Sequence, residues 1–137
     1  MKKILLVEDD FSGRVLLQDL MEDVLREVPD IHIAVDGREA VRLVTQALLA
    51  GAPYDLICLD ISMPKMDGIT ALNLIRELEE RHGRGALDGA KIIMTTCHHD
   101  KKHVFTSFRK QCDAYLVKPI TRSHLEEKLR QLDFIHG

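Results

Sequence analysis

The sequence has little net charge. Nineteen Lys and Arg against 22 Asp and Glu leave −3, with acids and bases mixed along all 137 residues. A dedicated nucleic-acid binder shows a basic stripe, so direct nucleic-acid contact is not expected. Cysteine is also scarce. Cys58, Cys97 and Cys112 are odd in number, scattered, and form no CxxC pair. They read as free thiols of a reducing compartment. Long apolar runs are missing near the N-terminus, where MKKILLVEDD puts only four apolar residues in a row before three acids. That is too short for a signal peptide or a membrane span. No internal repeat or low-complexity tract appears, and no linker or second domain follows residue 132. The expectation is a cytoplasmic chain, residues 1–137, forming one domain without membrane insertion and without an output domain.

Hydrophobic residues make up 45% of the chain and charged residues 30%, a globular balance. A chain of this length removes roughly two-thirds of its unfolded surface from water, enough for a core without covalent staples. Short apolar runs alternate with longer amphipathic stretches. The runs are Lys3–Val7, Ile31–Val35, Leu56–Leu59, Lys91–Thr95 and Ala114–Val117. They do not alternate in polarity, as befits strands covered on both faces of a parallel sheet.

Between the runs lie helical patterns. The first places Leu17, Leu20, Met21, Val24, Leu25 and Val28 at three- and four-residue spacing, with Pro29 as its stop. Others are expected at about 38–49, 69–81 and 101–110, and the fifth at 123–132 with Ser123 as a possible N-cap. Five βα units imply an α/β fold: an open five-stranded parallel sheet of order 2-1-3-4-5 with helices on both faces. The Gly-rich segment 82–90 is the one loop of note.

In such sheets ligands bind beyond the carboxyl ends of the strands, where strand order reverses. The residues there are informative. Glu8, Asp9 and Asp10 follow the first strand, and Asp60 ends the third. Thr95, Thr96 and Cys97 close the fourth, while Lys118 and Pro119 follow the fifth. Clustered carboxylates repel, and a hard divalent cation such as Mg²⁺ resolves this through oxygen ligands. A lysine and a hydroxyl beside a metal-held acid are parts that neutralise a phosphoryl group in transfer. Asp60 is then a candidate nucleophile forming an acyl phosphate.

VEDD at 7–10, LDISMPKMDG at 59–68, MTTC at 94–97 and AYLVKPI at 114–120 resemble the response-regulator receiver domain of two-component signalling, in order and over essentially the whole chain. The resemblance implies a flavodoxin-like receiver fold. It also implies that Asp60 accepts a phosphoryl group from a histidine kinase or phosphotransfer protein. By motif position Glu8 and Asp9 are the metal-binding acids, and the backbone carbonyl of Ser62 completes Mg²⁺ coordination. The family's spacing to the lysine puts the hydroxyl residue at Thr96 rather than Thr95. Lys118 matches the phosphate-binding lysine, Lys118–Pro119 the family's cis peptide, and Tyr115 the aromatic that turns inward on phosphorylation. A switching face of helix 4, strand 5 and helix 5 then meets a downstream protein target. On this reading the chain is a phosphoacceptor that assists its own chemistry, not an enzyme acting on a separate substrate.

The same residues admit other readings. Asp9 or Asp10 caps the first helix equally well, and Ser12 is a further candidate. Asp60 alone is an ordinary turn acid, Thr96 a strand former, Lys118 a solvated charge and Tyr115 core packing; only their joint placement favours the site. His99 and His103, four apart, have metal-ligand spacing, but the neighbouring Asp100, Lys101 and Lys102 suit a solvated helix start. Asp67 before Gly68 fits a turn or helix start better than a calcium loop. A haloacid-dehalogenase-type hydrolase wants D-x-D, which D-I-S lacks. A flavodoxin-like cofactor carrier wants a phosphate loop after the first strand, also missing. Within the receiver reading, a stand-alone regulator is set beside a phosphorelay intermediate and a phosphorylation-independent interaction module.

The acceptor-to-hydroxyl spacing, 96 − 60 = 36 residues, exceeds the family's usual value, and the 82–90 loop accounts for it. Gln111-Cys112 stands where the family often has Gly-Ala. Ser62 and His98 carry no acid or amide to orient an attacking water, so a long-lived phosphoryl state is expected.

Overall fold

The computed structural model describes residues 1–63, 65–85, 88–97 and 112–135. The expected fourth helix at 101–110, with His98, His99, His103 and Gln111, lies outside the described residues. Five strands, β1 (Lys3–Val7), β2 (Asp30–Ala34), β3 (Leu56–Asp60), β4 (Lys91–Thr96) and β5 (Ala114–Val117), form one sheet. Its order is β2-β1-β3-β4-β5, and every pairing is parallel. Helices α1 (Phe11–Val24), α2 (Gly37–Leu49), α3 (Gly68–Arg81) and α4 (Arg122–Gln131) connect and cover it. The helix α4 is the fifth of the sequence reading.

Successive strand residues feed opposite layers. Leu5, Val7, Ile57 and Leu59 pack with Val44, Leu72 and Ile75 of α2 and α3. Ile4, Leu6, Leu56 and Cys58 pack with Leu17 and Met21 of α1 and with Leu125 and Leu129 of α4. Because both faces are covered, the strands carry apolar residues at consecutive positions instead of alternating. β3 is buried along its whole length, Asp60 included.

Each described helix starts on a side-chain cap: Asp10 for α1, Asp36 for α2, Asp67 for α3 and Thr121 for α4. Each accepts a hydrogen bond from the backbone N–H three residues on, satisfying a donor the first turn leaves open. Asp67 therefore belongs to the helix start, as its position before Gly68 suggested. Two expectations are corrected. The cap of α4 is Thr121, not Ser123, because the helix begins one residue earlier and Thr121 Oγ1 reaches the His124 N–H at 3.2 Å. Helix α1 ends at Val24, not at Pro29: Leu25 turns extended, and Val28 is 78% exposed. The chain must enter β2 at Asp30, whose N–H bonds the Lys2 carbonyl at 2.8 Å, so the helical spacing outlasts the helix.

An ion network ties α3 to β4 and to the start of β5 at the other end of the sheet. Arg76 donates to buried Glu79 (2.7 Å), to the Ala90 carbonyl (2.8 Å) and to Asp113 (3.0 Å). Glu79 in turn accepts the Ala90 N–H at 2.7 Å, and Asp113 the Ile92 N–H at 2.8 Å. The Ala90 end of the connection into β4 is thereby fixed to α3. Among the described residues no helix is long and apolar enough to cross a membrane.

Candidate functional site

At the carboxyl end of the sheet, β1, β3 and β5 bring charged residues together. Glu8 follows β1 and continues its ladder, its N–H bonding the Ala34 carbonyl at 3.1 Å. Its side chain is buried while that of Asp9 is exposed. The Arg14 guanidinium, on the first turns of α1, donates to the backbone carbonyls of Glu8 (3.2 Å) and Asp9 (3.0 Å) and so ties down the loop that bears both acids.

Asp60, the last residue of β3, is 3% exposed and accepts a hydrogen bond from the Ser62 N–H at 3.3 Å. The strand end is gripped on both sides. Ile61 N–H bonds the Thr95 carbonyl (3.0 Å), and Gly68 N–H bonds the Ile61 carbonyl (2.8 Å). A Cβ on Gly68 would lie 2.2 Å from the Asp60 carbonyl oxygen, so α3 can start this close to the end of β3 only from a glycine.

Lys118 arrives from β5. Its N–H bonds the Thr96 carbonyl at 2.7 Å, and the Lys118–Pro119 peptide is cis, as the resemblance implied. Its ammonium lies 2.6 Å from Glu8 Oε1 and 3.2 Å from Asp60 Oδ2. Thr96 ends β4, one residue beyond Thr95, the register partner of Asp60. It is fully buried, and its hydroxyl donates to the Cys97 carbonyl at 3.1 Å. Tyr115 is half-buried on β5 in register with Met94, against the α2–α3 layer.

Glu8, Asp9 and Asp60 can each place a carboxylate oxygen within 4.8 Å of the others. Burial, then the hydrogen bond and charge of Glu8, push the Asp60 carboxyl up to about 7 against the pull of Lys118. Burial also presses the Glu8 carboxyl upward, but hydrogen bonds with Asp60 and Lys118 and the lysine charge hold it below its ordinary value. Burial lowers and the two acids more than restore Lys118, which ends raised. The two carboxyls therefore titrate as a coupled pair, Asp60 pushed up by burial and by Glu8, and Glu8 held down by its hydrogen bonds and the ammonium. Three hard oxygen donors facing one ammonium leave an excess of negative charge. This donor set fits a hard divalent cation such as Mg²⁺, which takes one or two carboxylates and keeps several waters.

The structure thus joins Glu8, Asp9, Asp60 and Lys118, with Ser62 bonded to Asp60 by its N–H, and sets Thr96 at the end of the neighbouring strand. Asp10, one of the capping candidates, is the cap. The roles of Arg14 and Gly68 were not read from the sequence, because each depends on how the turn after its strand folds back, on Glu8 and Asp9 for one and on Asp60 and Ile61 for the other.

Residues 4–130 match the family described as Response regulator receiver domain. The chain is 31% identical over 129 residues to Hybrid signal transduction histidine kinase L of Dictyostelium discoideum, covering 94% of this chain and 7% of that protein. It is 32% identical over 126 residues to the sensor histidine kinase GacS of Pseudomonas protegens, covering 91% of this chain and 12% of that one. The chain therefore spans only about a tenth of these curated relatives. Among solved structures it is similar to the receiver domain of the histidine kinase CKI1 from Arabidopsis thaliana, complexed with Mg²⁺ and BeF₃⁻. There the TM-score is 0.80 with 26% identity, covering 98% of this chain and 91% of that one. It is also similar to the receiver domain of the Pseudomonas aeruginosa sensor histidine kinase PA1611, with magnesium in its active-site cleft. The TM-score there is 0.74 with 25% identity, covering 95% of each chain.

Proposed function

The chain belongs to the response regulator receiver domain family of two-component signalling, and from that premise we propose that Asp60 accepts a phosphoryl group from a histidine kinase or phosphotransfer protein. The observation that carries the reading is the convergence of buried Asp60, buried Glu8 and the Lys118 ammonium at one strand edge. Glu8, Asp9 and Asp60, with the Ser62 carbonyl, would hold Mg²⁺, which neutralises phosphoryl oxygens when bound. As the carboxylate, Asp60 would supply the oxygen that attacks phosphorus, while the P–N bond to the donor histidine breaks and leaves the imidazole. Lys118, already poised between the two acids, turns its ammonium to the new anion. Thr96 exchanges its bond to the Cys97 carbonyl for the phosphoryl group, and Tyr115 repacks behind it. The face of β5 with its flanking helices then changes affinity for a downstream protein, a local charge event biasing a two-state element.

Intact mass after incubation with acetyl phosphate and Mg²⁺ tests this. One phosphoryl adduct, lost with EDTA and in Asp60→Asn, supports it. No adduct from either acetyl phosphate or a histidine kinase leaves a phosphorylation-independent interaction module instead. That the chain works as a free-standing regulator belongs to the same proposal; a native polypeptide much longer than 137 residues would overturn it. Similarity to receiver domains of histidine kinases favours a second reading, a relay intermediate. Transfer of the phosphoryl group onward to a histidine of a second protein distinguishes the relay from a final effector.

A further inference from the structure

Helix α1 has a glycine in its first turn, where a side chain would ordinarily favour the helix. Gly13 has no left-handed backbone angle that would require one. Its N–H is already bonded to the capping Asp10 carboxylate at 2.8 Å, a bond any residue but proline would make. What sets the position apart is its neighbour. A Cβ on Gly13 would lie 2.9 Å from Glu8 Oε1, 3.1 Å from Glu8 Cδ and 3.2 Å from Glu8 Cγ. A cavity of ≈ 40 Å³ opens at the same place, lined by Glu8, Gly13, Leu16, Leu17, Lys118 and Ile120.

We propose that Gly13 is a positioning residue for Glu8, leaving the space that its carboxylate occupies beside the Lys118 ammonium and facing the cation site. The inference rests on the proposed metal role of Glu8. Glu8 Oε1 lies 2.6 Å from Lys118 Nζ, and the same carboxylate already comes within 4.8 Å of carboxylate oxygens of Asp9 and Asp60, so its place is set on both sides. The carboxylate then needs room, and the backbone behind it cannot yield, because Arg14 ties the Glu8 and Asp9 carbonyls. The missing side chain supplies that room, with the cavity beside it. A glutamate also needs more of it than an aspartate, having one further methylene between backbone and carboxylate.

The test is Mg²⁺ affinity by calorimetry with thermal unfolding of the metal-free protein, for Gly13→Ala alone and in a Glu8→Asp background. Groups that orient metal ligands typically govern affinity by 10–100-fold, so Gly13→Ala should weaken Mg²⁺ about tenfold. Its Tm should not fall, since alanine favours the helix and the atoms it meets, Glu8 Oε1, Cδ and Cγ, belong to a side chain and not to backbone. In the Glu8→Asp background the same substitution should change Mg²⁺ affinity by less than about twofold, the signature of a coupled pair. Equal weakening in both backgrounds, unchanged affinity in the first, or a lower Tm in both would overturn the inference. No Mg²⁺ binding by the wild-type protein would instead remove the metal reading itself, and the inference with it.

Discussion

Gly68→Ala tests how tightly α3 is set against the acceptor strand. The added Cβ would lie 2.2 Å from the Asp60 carbonyl oxygen, 2.8 Å from Ile61 Cα and 2.9 Å from Asp60 C. All three are backbone atoms, so no rotamer change relieves the contact. Carbon contacts are comfortable at about 3.5 Å, so α3 or the β3 terminus must move by about 1 Å. The first would stretch the Gly68 N–H bond to Ile61 (2.8 Å), and the second the Ile61 N–H bond to Thr95 (3.0 Å). Overpacking costs typically 1–3 kcal/mol, and an unyielding backbone contact places this one near ~3 kcal/mol. With m near ~2 kcal/mol/M, the urea midpoint should drop by about 1.5 M. Gly85→Ala is the control: nothing lies within 4 Å of its Cβ position. It should stay within about 0.5 kcal/mol of wild type. Because Asp60 sits on the displaced backbone, acetyl-phosphate labelling should slow in Gly68→Ala under conditions where the variant is fully folded. A loss below about 1 kcal/mol with normal labelling would refute the reasoning, since helix and strand would then slide past each other freely.

Three further outcomes are expected. Lys118→Met leaves Glu8 and Asp60 facing each other without a counter-charge; breaking such a buried pair costs about 3–5 kcal/mol. Denaturant melts should show that loss in the metal-free protein and partial recovery with Mg²⁺. Asp60 is held up to about 7 in the fold against an ordinary carboxyl value of 3.8, so ionising it is penalised only in the folded state. Its raised value makes metal-free wild type lose stability relative to Asp60→Asn as pH rises from about 4 to about 7, with no further change above. Melting both proteins across that range checks the sign, and a gap that narrows with rising pH would contradict it. Ser62, beside the acceptor, offers no carboxylate or amide to orient a water, so a phosphoryl group on Asp60 should persist for minutes; decay within seconds, followed by intact mass, would count against this.

The fold class and strand order were legible from local pattern. Unbroken apolar runs such as Ile4–Val7 and Leu56–Leu59 need cover on both faces, and right-handed crossovers leave few ways to arrange five of them. The site acids were legible for a related reason: a charged residue directly after a buried strand, as at Glu8, Asp60 and Lys118, can only emerge at the sheet's end. Helix termini were less so. The spacing that runs to Val28 says which residues are apolar, whereas the end of α1 at Val24 depends on where β2 must begin. Tertiary structure alone decided which charges neutralise one another. Glu8 and Lys118 are 110 positions apart, and Asp60 and Lys118 are 58. It also decided what the glycines at 13 and 68 are for. A glycine's reason for being there is the atom a side chain would strike, and that atom is brought close only by the fold of the turn between strand and helix: Glu8 for one, the Asp60 carbonyl for the other.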